Sequence, residues 1–313
     1  MTSNKKYNAI SNEEVKRINN VLSSIRSFGL NDKWDERHKL LWKSADDIRQ
    51  YLYSFEIAGS DSSFMKAYVD DALARFFHTI DLLSGSTSGK ILEIGANPYL
   101  LTVLIKKIAD FDLTLTNFFS LNIYDKDIGA GEQVLVSASF KEEYIFKYSA
   151  LNIELSDYPY KSNLFDKILF CEVLEHVVVD PLKIFSKLHN ILKPGGELIL
   201  TTPNALRLIN FAHMIAGKNF FDKYHPENGV YGRHNREYSI SEVIKLLEAE
   251  GFKIKFSKTL DRYNYDLCDM YVDSYDDQIK LPWSGAQLKN ILELIKGDTK
   301  DRGDNIYIVA ERI

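Results

Sequence analysis

Three stretches of this chain carry residue types and spacings that could do chemistry. The first is Cys171-Glu-Val-Leu-Glu-His176, where Glu172, Glu175 and His176 stand at i, i+3 and i+4. A helical turn there would bring all three to one side. Two carboxylates and an imidazole that converge could bind a divalent ion such as magnesium through O and N ligands, with a later His234 completing the set. The same imidazoles could instead serve as general bases. On either reading His176 and His234 handle the proton, with Glu172 beside them. Cys171 also reads as a small buried apolar residue.

The second stretch is Lys90-Ile-Leu-Glu-Ile-Gly-Ala-Asn-Pro-Tyr99. A glycine after an apolar strand lets backbone approach a ligand closely. An acid at the strand end can accept hydrogen bonds or hold a cationic group. Glu93 and Gly95 fill those two roles. A dinucleotide pyrophosphate wants more glycines than this loop has. The third stretch, 205–238, is long for a connection in an α/β domain, and such connections are more often functional than structureless. Its aromatic residues, Tyr231 among them, can stack on sugar or aromatic rings. Arg233 or Arg236 could clamp a phosphate or carboxylate.

The elements that must position these residues are strands alternating with helices. Lys90–Ile94, Leu113–Phe118, Phe165–Phe170, Glu197–Thr202, Phe252–Phe256 and Asn305–Ala310 read as strands. Tyr99–Ala109, Pro181–Leu192, Ser239–Glu250 and Leu288–Ile295 read as helices. Asp180 before Pro181 is an N-cap, and Ser239 with Glu242 is a capping box. Lys193–Gly196 reads as a turn, and Asp125–Glu143 carries no assignment. This alternation implies a mostly parallel sheet covered on both faces. Residues 1–84 read as a helical extension or lid. Ser11 and Glu14 cap a first helix, a second runs through Leu41–Phe55, and a third places Phe64, Tyr68, Ala72, Phe76 and Ile80 on one stripe.

Composition narrows the classes. Net charge is −5, and no basic run is present, which argues against a nucleic-acid partner. Two cysteines, Cys171 and Cys268, cannot build a disulfide framework. The first residues lack the apolar core of a signal peptide, and no run reaches the ~18 apolar residues of a membrane span. The expectation is a soluble cytoplasmic protein, its oligomeric state left open.

The second stretch resembles motif I of class I S-adenosylmethionine (SAM) methyltransferases, acidic-x-Gly-x-Gly-x-Gly, with Asn97 and Tyr99 in the later glycine places. Phe165–Val177, Leu192-Lys-Pro-Gly-Gly196 and Thr201-Thr-Pro-Asn204 are similar in order and spacing to the middle block of many small-molecule members. The Glu172-x-x-Glu175-His176 turn resembles that of ubiquinone-pathway O-methyltransferases and small-RNA 2′-O-methyltransferases. The resemblance implies a Rossmann-like, doubly wound, mostly parallel seven-stranded sheet with the last strand antiparallel. It implies SAM as cofactor, held by Glu93, Gly95 and Asn97, by Asn117 at the ribose in place of the usual carboxylate, by Asn152 and Glu154 at adenine, and by Cys171. It implies a methyltransferase domain over 85–313 with a substrate-covering insertion at 205–238, where Arg233, Arg236 and Tyr231, with Asn204, would meet the acceptor. The acceptor implied is a small-molecule hydroxyl, a sugar or glycan-biosynthesis intermediate by the Arg233-His-Asn-Arg-Glu-Tyr238 segment. The rival readings are a non-catalytic binding module on the same fold and an RNA 2′-O-methyltransferase.

Overall fold

The computed structural model describes residues 45–57, 62–83, 86, 88–120, 124–125, 127–222, 224, 229–262, 269–273 and 278–313. The expected first helix, with Ser11 and Glu14, lies outside them, as does Cys268. The chain divides into two compact units: 1–85 with 135–143 and 262–264, and the remainder.

In the smaller unit, α1 (Ala45–Tyr53) and α2 (Ser62–Leu82) are the second and third expected helices. The buried stripe of α2 runs through Met65, Val69, Ala72, Phe76 and Ile80, with Tyr68 only half-buried. A two-residue strand, β1 (Glu56–Ile57), pairs antiparallel with Leu135 and Val136.

The larger unit contains β2 (Ser88–Ile94), α3 (Leu100–Ile108), β3 (Asp110–Asn117), most of the hairpin β4 (Asp127–Ser137) and β5 (Glu142–Leu151), β6 (Phe165–Cys171), α4 (Pro181–Ile191), β7 (Leu192–Pro203), α5 (Leu208–Ile215), α6 (Ile240–Ala249), β8 (Phe252–Leu260), β9 (Asp269–Asp273), β10 (Gln278–Ser284), α7 (Gly285–Leu294) and β11 (Asn305–Arg312). The sheet order β5-β3-β2-β6-β7-β11-β8 gives the seven strands expected. The pairs β5/β3, β3/β2, β2/β6 and β6/β7 are parallel, and β11 is antiparallel to both its neighbours. β4 and β1 extend the order to nine strands. They arise from the unassigned Asp125–Glu143 and from two residues, too few to signal a strand.

The caps are those the sequence indicated. Asp180 accepts from Leu182 N–H with Pro181 in the first turn, and Ser239 with Glu242 closes a capping box. A third box, Ser284 with Gln287, opens α7. The expected Lys193–Gly196 turn is absorbed into β7 as a bulge, for Phe165 pairs with Leu192 and Lys167 already with Glu197. Gly195 supplies the positive φ that the bulge needs, +75°. Both central strands are buried on both faces: Ile91, Leu92, Ile168, Leu169 and Phe170 are solvent-free. Each such side chain contributes about 1.5–3 kcal/mol, which fixes the strand ends where the functional residues hang.

Candidate functional site

In an open α/β sheet, ligands bind beyond the carboxyl ends of the strands where the order reverses. Here β2 and its neighbours β3 and β6 flank that point. A cleft of about 620 Å³ opens there, lined by Ile94, Gly95, Thr116, Asn117, Phe118, the loop Leu151–Glu154, Glu172, Val173, His176, Val177 and Tyr231.

Gly95 is exposed on the cleft with φ +73°, and a Cβ there would meet Val173 Cγ2 at 2.8 Å. Asn97 is exposed beside it. Glu93, by contrast, points away from the cleft. It is buried, accepts from Thr102 Oγ1 at 2.7 Å, and burial pushes its pKa up to about 7. Tyr99 explains how the motif survives without its last glycine. It takes the left-handed conformation, φ +68°, that a glycine would take, and its fully buried ring stacks on Phe146 at 5.1 Å. Its hydroxyl accepts from Asn117 Nδ2, while Asn117 Oδ1 accepts from Asn97 N–H at 3.1 Å. Asn117 therefore braces the loop. The ribose role expected of it is left with the second lone pair of its Oδ1.

Asn152 and Glu154 line the cleft, yet their side chains hold the loop. Asn152 Oδ1 accepts from the N–H groups of Glu154 and Leu155, and its Nδ2 donates to the Asp125 carbonyl and, at 3.4 Å, to Tyr231 Oη. The Glu154 carboxylate accepts from Val178 and Val179 N–H. What the sequence did not single out are Phe118 and Ile153, which line the cleft one residue past β3 and between the two loop anchors. Their side chains give it apolar walls suited to a flat heteroaromatic ring.

The Glu172–His176 turn departs from the helix that the spacing suggested. Only Leu174–His176 form a turn, of 3₁₀ type, and Glu172 precedes it with φ +55°. Glu172 is thus left outside the cluster that Glu175 and His176 join, though near enough for its charge to act on Glu175. Its carboxylate accepts from Thr201 Oγ1 at 2.7 Å and from Asn305 Nδ2 at 2.9 Å. The three-residue convergence is instead Glu175, His176 and His234, whose ligand atoms lie within 4.8 Å of one another. Cys171 sits on β6 behind the turn, its thiol 4.0 Å from the Ile199 carbonyl, and does not line the cleft.

Glu175 is buried, accepts from Thr202 Oγ1 at 2.9 Å and lies 3.9 Å from His176 Nε2. Burial, then the Glu172 charge, hold it well above the ordinary carboxylate range. His176 Nδ1 faces the Arg233 carbonyl at 2.9 Å. A carbonyl only accepts, so Nδ1 carries the proton and Nε2 holds the lone pair. Burial, then the neighbouring His234, lower the His176 pKa, which keeps that lone pair available. His234 Nδ1 faces Glu237 Oε1 at 2.9 Å. Burial works against a charge on His234, but the Glu237 hydrogen bond and the Glu175 charge prevail and raise its pKa. Glu237 in turn accepts from Arg207 at 2.5 Å and Asn210 at 3.2 Å. Burial opposes its charge as well, yet the bonds from His234 and Arg207 bring its pKa down to about 2.

The insertion delivers His234 and Tyr231 to the site but turns the other expected residues to other work. Arg233 lies over the Tyr224 ring at 3.9 Å, and Arg236 pairs with Glu242 at 2.7 Å. Asn204 is solvent-free. It donates to the Asp301 and Gly303 carbonyls and accepts from Leu206 N–H, so it fixes the β7 exit and has no face toward a substrate. Asn235 stitches the insertion down: its N–H donates to the Glu175 carbonyl, and its amide to the His176 and Val230 carbonyls.

A cleft at the switch point of a doubly wound sheet, with paired imidazoles at its edge, is the arrangement of a Rossmann-like enzyme. A family model described as "Methyltransferase domain" matches residues 62–255, more than half of the chain, and the chain belongs to that family. The chain is 35% identical over 91 residues to a ubiquinone biosynthesis O-methyltransferase of Dinoroseobacter shibae, covering 28% of this chain and 34% of that protein. It therefore spans about a third of that relative's length. A Histophilus somni protein of the same name is 27% identical over 191 residues, 59% of this chain and 71% of that one. A solved SAM-dependent methyltransferase from Archaeoglobus fulgidus aligns at 15% identity and TM-score 0.46, over 79% of this chain and 94% of that one. No helix among the described residues is long and apolar enough to cross a membrane.

Proposed function

We propose that the chain transfers a methyl group to a hydroxyl oxygen of a small molecule. The observation that carries this reading is the His176 imidazole at the cleft, with Nδ1 tied to a carbonyl and Nε2 left basic. Gly95, Asn97 and the walls Phe118 and Ile153 would hold the cofactor, with the exposed positive-φ glycine letting backbone approach it closely. When bound, SAM supplies a methyl group activated by the sulfonium. His176 Nε2, its lone pair left free by the Nδ1 bond to the Arg233 carbonyl, would take the proton of the acceptor hydroxyl. Orientation by the cleft supplies most of the acceleration, and the base about 10²–10⁴-fold.

The acceptor class we favour is a sugar or glycan-biosynthesis intermediate, supported by the resemblance of the Arg233–Tyr238 segment and by the exposed Tyr224 and Phe221 of the insertion. Residues 205–238 would cover that acceptor, and 1–84 would form a separate extension. The test is S-adenosylhomocysteine release from SAM across a panel of saccharide, nucleotide-sugar and catechol hydroxyls. Turnover only with amine acceptors, or only with RNA, overturns the proposal.

A second reading adds a divalent ion, favoured by the Glu175, His176 and His234 cluster. The residues fit: both imidazoles have Nδ1 tied to an oxygen acceptor, as ligating histidines usually do, and Glu175 is a buried carboxylate whose ligand atom lies within 4.8 Å of theirs. The ion would lower the pKa of a bound hydroxyl. Calorimetric titration of the wild type and Glu175→Ala with Mg²⁺ and Zn²⁺ tests it. Equal heats from the two proteins, or turnover indifferent to chelator, remove the metal from the scheme.

A further inference from the structure

His234 arrives at the site from the insertion, far in sequence from His176, and its orientation must be imposed by something other than the strand ends. Its Nδ1 meets Glu237 Oε1 at 2.9 Å, and its main-chain N–H donates to Asp222 at 2.8 Å. Glu237 is itself held on its other oxygen. Arg207 Nη1 reaches Oε2 at 2.5 Å and Asn210 Nδ2 reaches it at 3.2 Å, and Arg207 also donates to the Asn204 carbonyl at 3.2 Å. The side chains of Arg207 and Glu237 are 14% and 8% exposed, so this ion pair is sheltered from water and acts in a low-dielectric setting. Asn210 is buried too, and its Nδ2 further donates to the Ala205 carbonyl.

We propose that Glu237, braced by Arg207 and Asn210, is the positioning residue of His234, and that it fixes the proton on Nδ1 and the ring against His176. An ionised carboxylate can only accept, so it selects the Nδ1–H form and leaves Nε2 as the acceptor nitrogen of the neutral ring. The edge-to-face meeting of the two imidazoles, 5.2 Å between centroids, follows from that anchor. Arg207 and Asn210 stand at the start of α5, so the helix that opens the insertion also sets the second imidazole. A neutral amide in place of the carboxylate has one acceptor. Arg207 and Asn210 claim it, its NH₂ then faces His234 Nδ1, and the ring must adopt the opposite tautomer. A carboxylate-to-amide change behind a catalytic histidine elsewhere acts in this way.

The inference rests on the reading of His234 as part of the proton-handling pair, and its test reads the ring directly. Protein labelled with ¹⁵N at histidine is compared as wild type and Glu237→Gln by long-range ¹H–¹⁵N correlation at mildly alkaline pH, with His234 assigned by its loss in His234→Gln. The expected wild-type spectrum has Nδ1 protonated, and the variant shows the proton moved to Nε2. SAM affinity by calorimetry stays within about 2-fold in the variant, while acceptor turnover falls ~10²-fold or more. A wild-type ring protonated on Nε2 alone overturns the proposal without any variant. So does a Glu237→Gln protein that binds SAM and keeps the Nδ1–H tautomer. If instead the tautomer moves as stated but His234→Gln still turns over acceptor at the wild-type rate, the positioning role stands and the catalytic reading of His234 falls.

Discussion

His176 and His234 meet edge to face, ring centroids 5.2 Å apart and planes at 81°, although one hangs from the end of β6 and the other from the insertion after β7. Each has its Nδ1 directed at an oxygen acceptor, a carbonyl for His176 and a carboxylate for His234. The environments push their pKa values apart, His176 down and His234 up. Such a split suits two like groups to different tasks: in the proposed reaction His176 would take the proton, while His234 faces the buried Glu175.

His176→Ala is expected to lower turnover by ~10²–10⁴-fold while SAM binding changes little. Single-turnover transfer from radiolabelled SAM, run beside calorimetry, separates the two quantities. A loss confined to cofactor affinity would move His176 from the base to the cofactor.

Gly95→Ala adds a methyl group that overlaps Val173 Cγ2 and imposes a left-handed conformation on a side-chain-bearing residue. The strain amounts to roughly 1–2 kcal/mol, and SAM affinity is expected to fall about 10-fold or more. Val173→Ala in the same protein removes the clash but not the φ penalty, so it should recover part of the loss. Full recovery would show that the clash alone was at work.

Glu93 makes stability depend on pH. Its folded pKa is raised by burial from an ordinary 4.5 to about 7, so the native state keeps a proton that the unfolded state releases. Stability tied to this group is complete below pH 4.5 and is lost as pH rises toward 7. At about 1.4 kcal/mol per pH unit, the loss is of order 3 kcal/mol. Glu93→Gln, which can still accept from Thr102, should flatten this part of the profile. Urea unfolding of both proteins across the window measures it, and parallel curves would remove Glu93 as the cause.

Tyr99→Phe deletes the acceptor of Asn117 Nδ2 within a buried contact. An unsatisfied buried donor costs about 1–3 kcal/mol. The variant should show a lower urea midpoint with an unchanged m-value, and weaker SAM binding because Asn117 also holds Asn97. Unchanged stability would show that water reaches the amide.

The framework was legible where the sequence is locally decisive. Short, mostly apolar runs such as Ile91–Ile94 and Ile168–Phe170 read as buried strands, and Asp180-Pro181 and Ser239-x-x-Glu242 mark helix starts through their own hydrogen bonds. β4 was illegible because Asp127-Ile-Gly-Ala-Gly-Glu-Gln133 mixes glycines and polar residues with few apolar ones. At the site, spacing misled once. The interval Glu172, Glu175, His176 puts three groups on one side only if the turn is helical throughout, and the positive φ at Glu172 breaks that condition. Asn204 and Arg236 were plausible contacts by type and place, but their partners Gly303, Asp301 and Glu242 are set by tertiary structure. Glu237 had a signal that spacing alone could have raised, since it stands three residues after His234 in a segment already rich in polar groups.

Asn235 bonds through its main chain to the Glu175 carbonyl and through its amide to the His176 and Val230 carbonyls. Lifting that segment would take the donors away from the Glu175 and His176 carbonyls, so it is a poor door for an incoming molecule. Phe221 and Tyr224 of the same insertion are well exposed, while Asp222 between them accepts from His234 N–H. Random libraries meant to alter the acceptor would then do best with their diversity at Phe221 and Tyr224, leaving Asp222 and 233–237 unchanged.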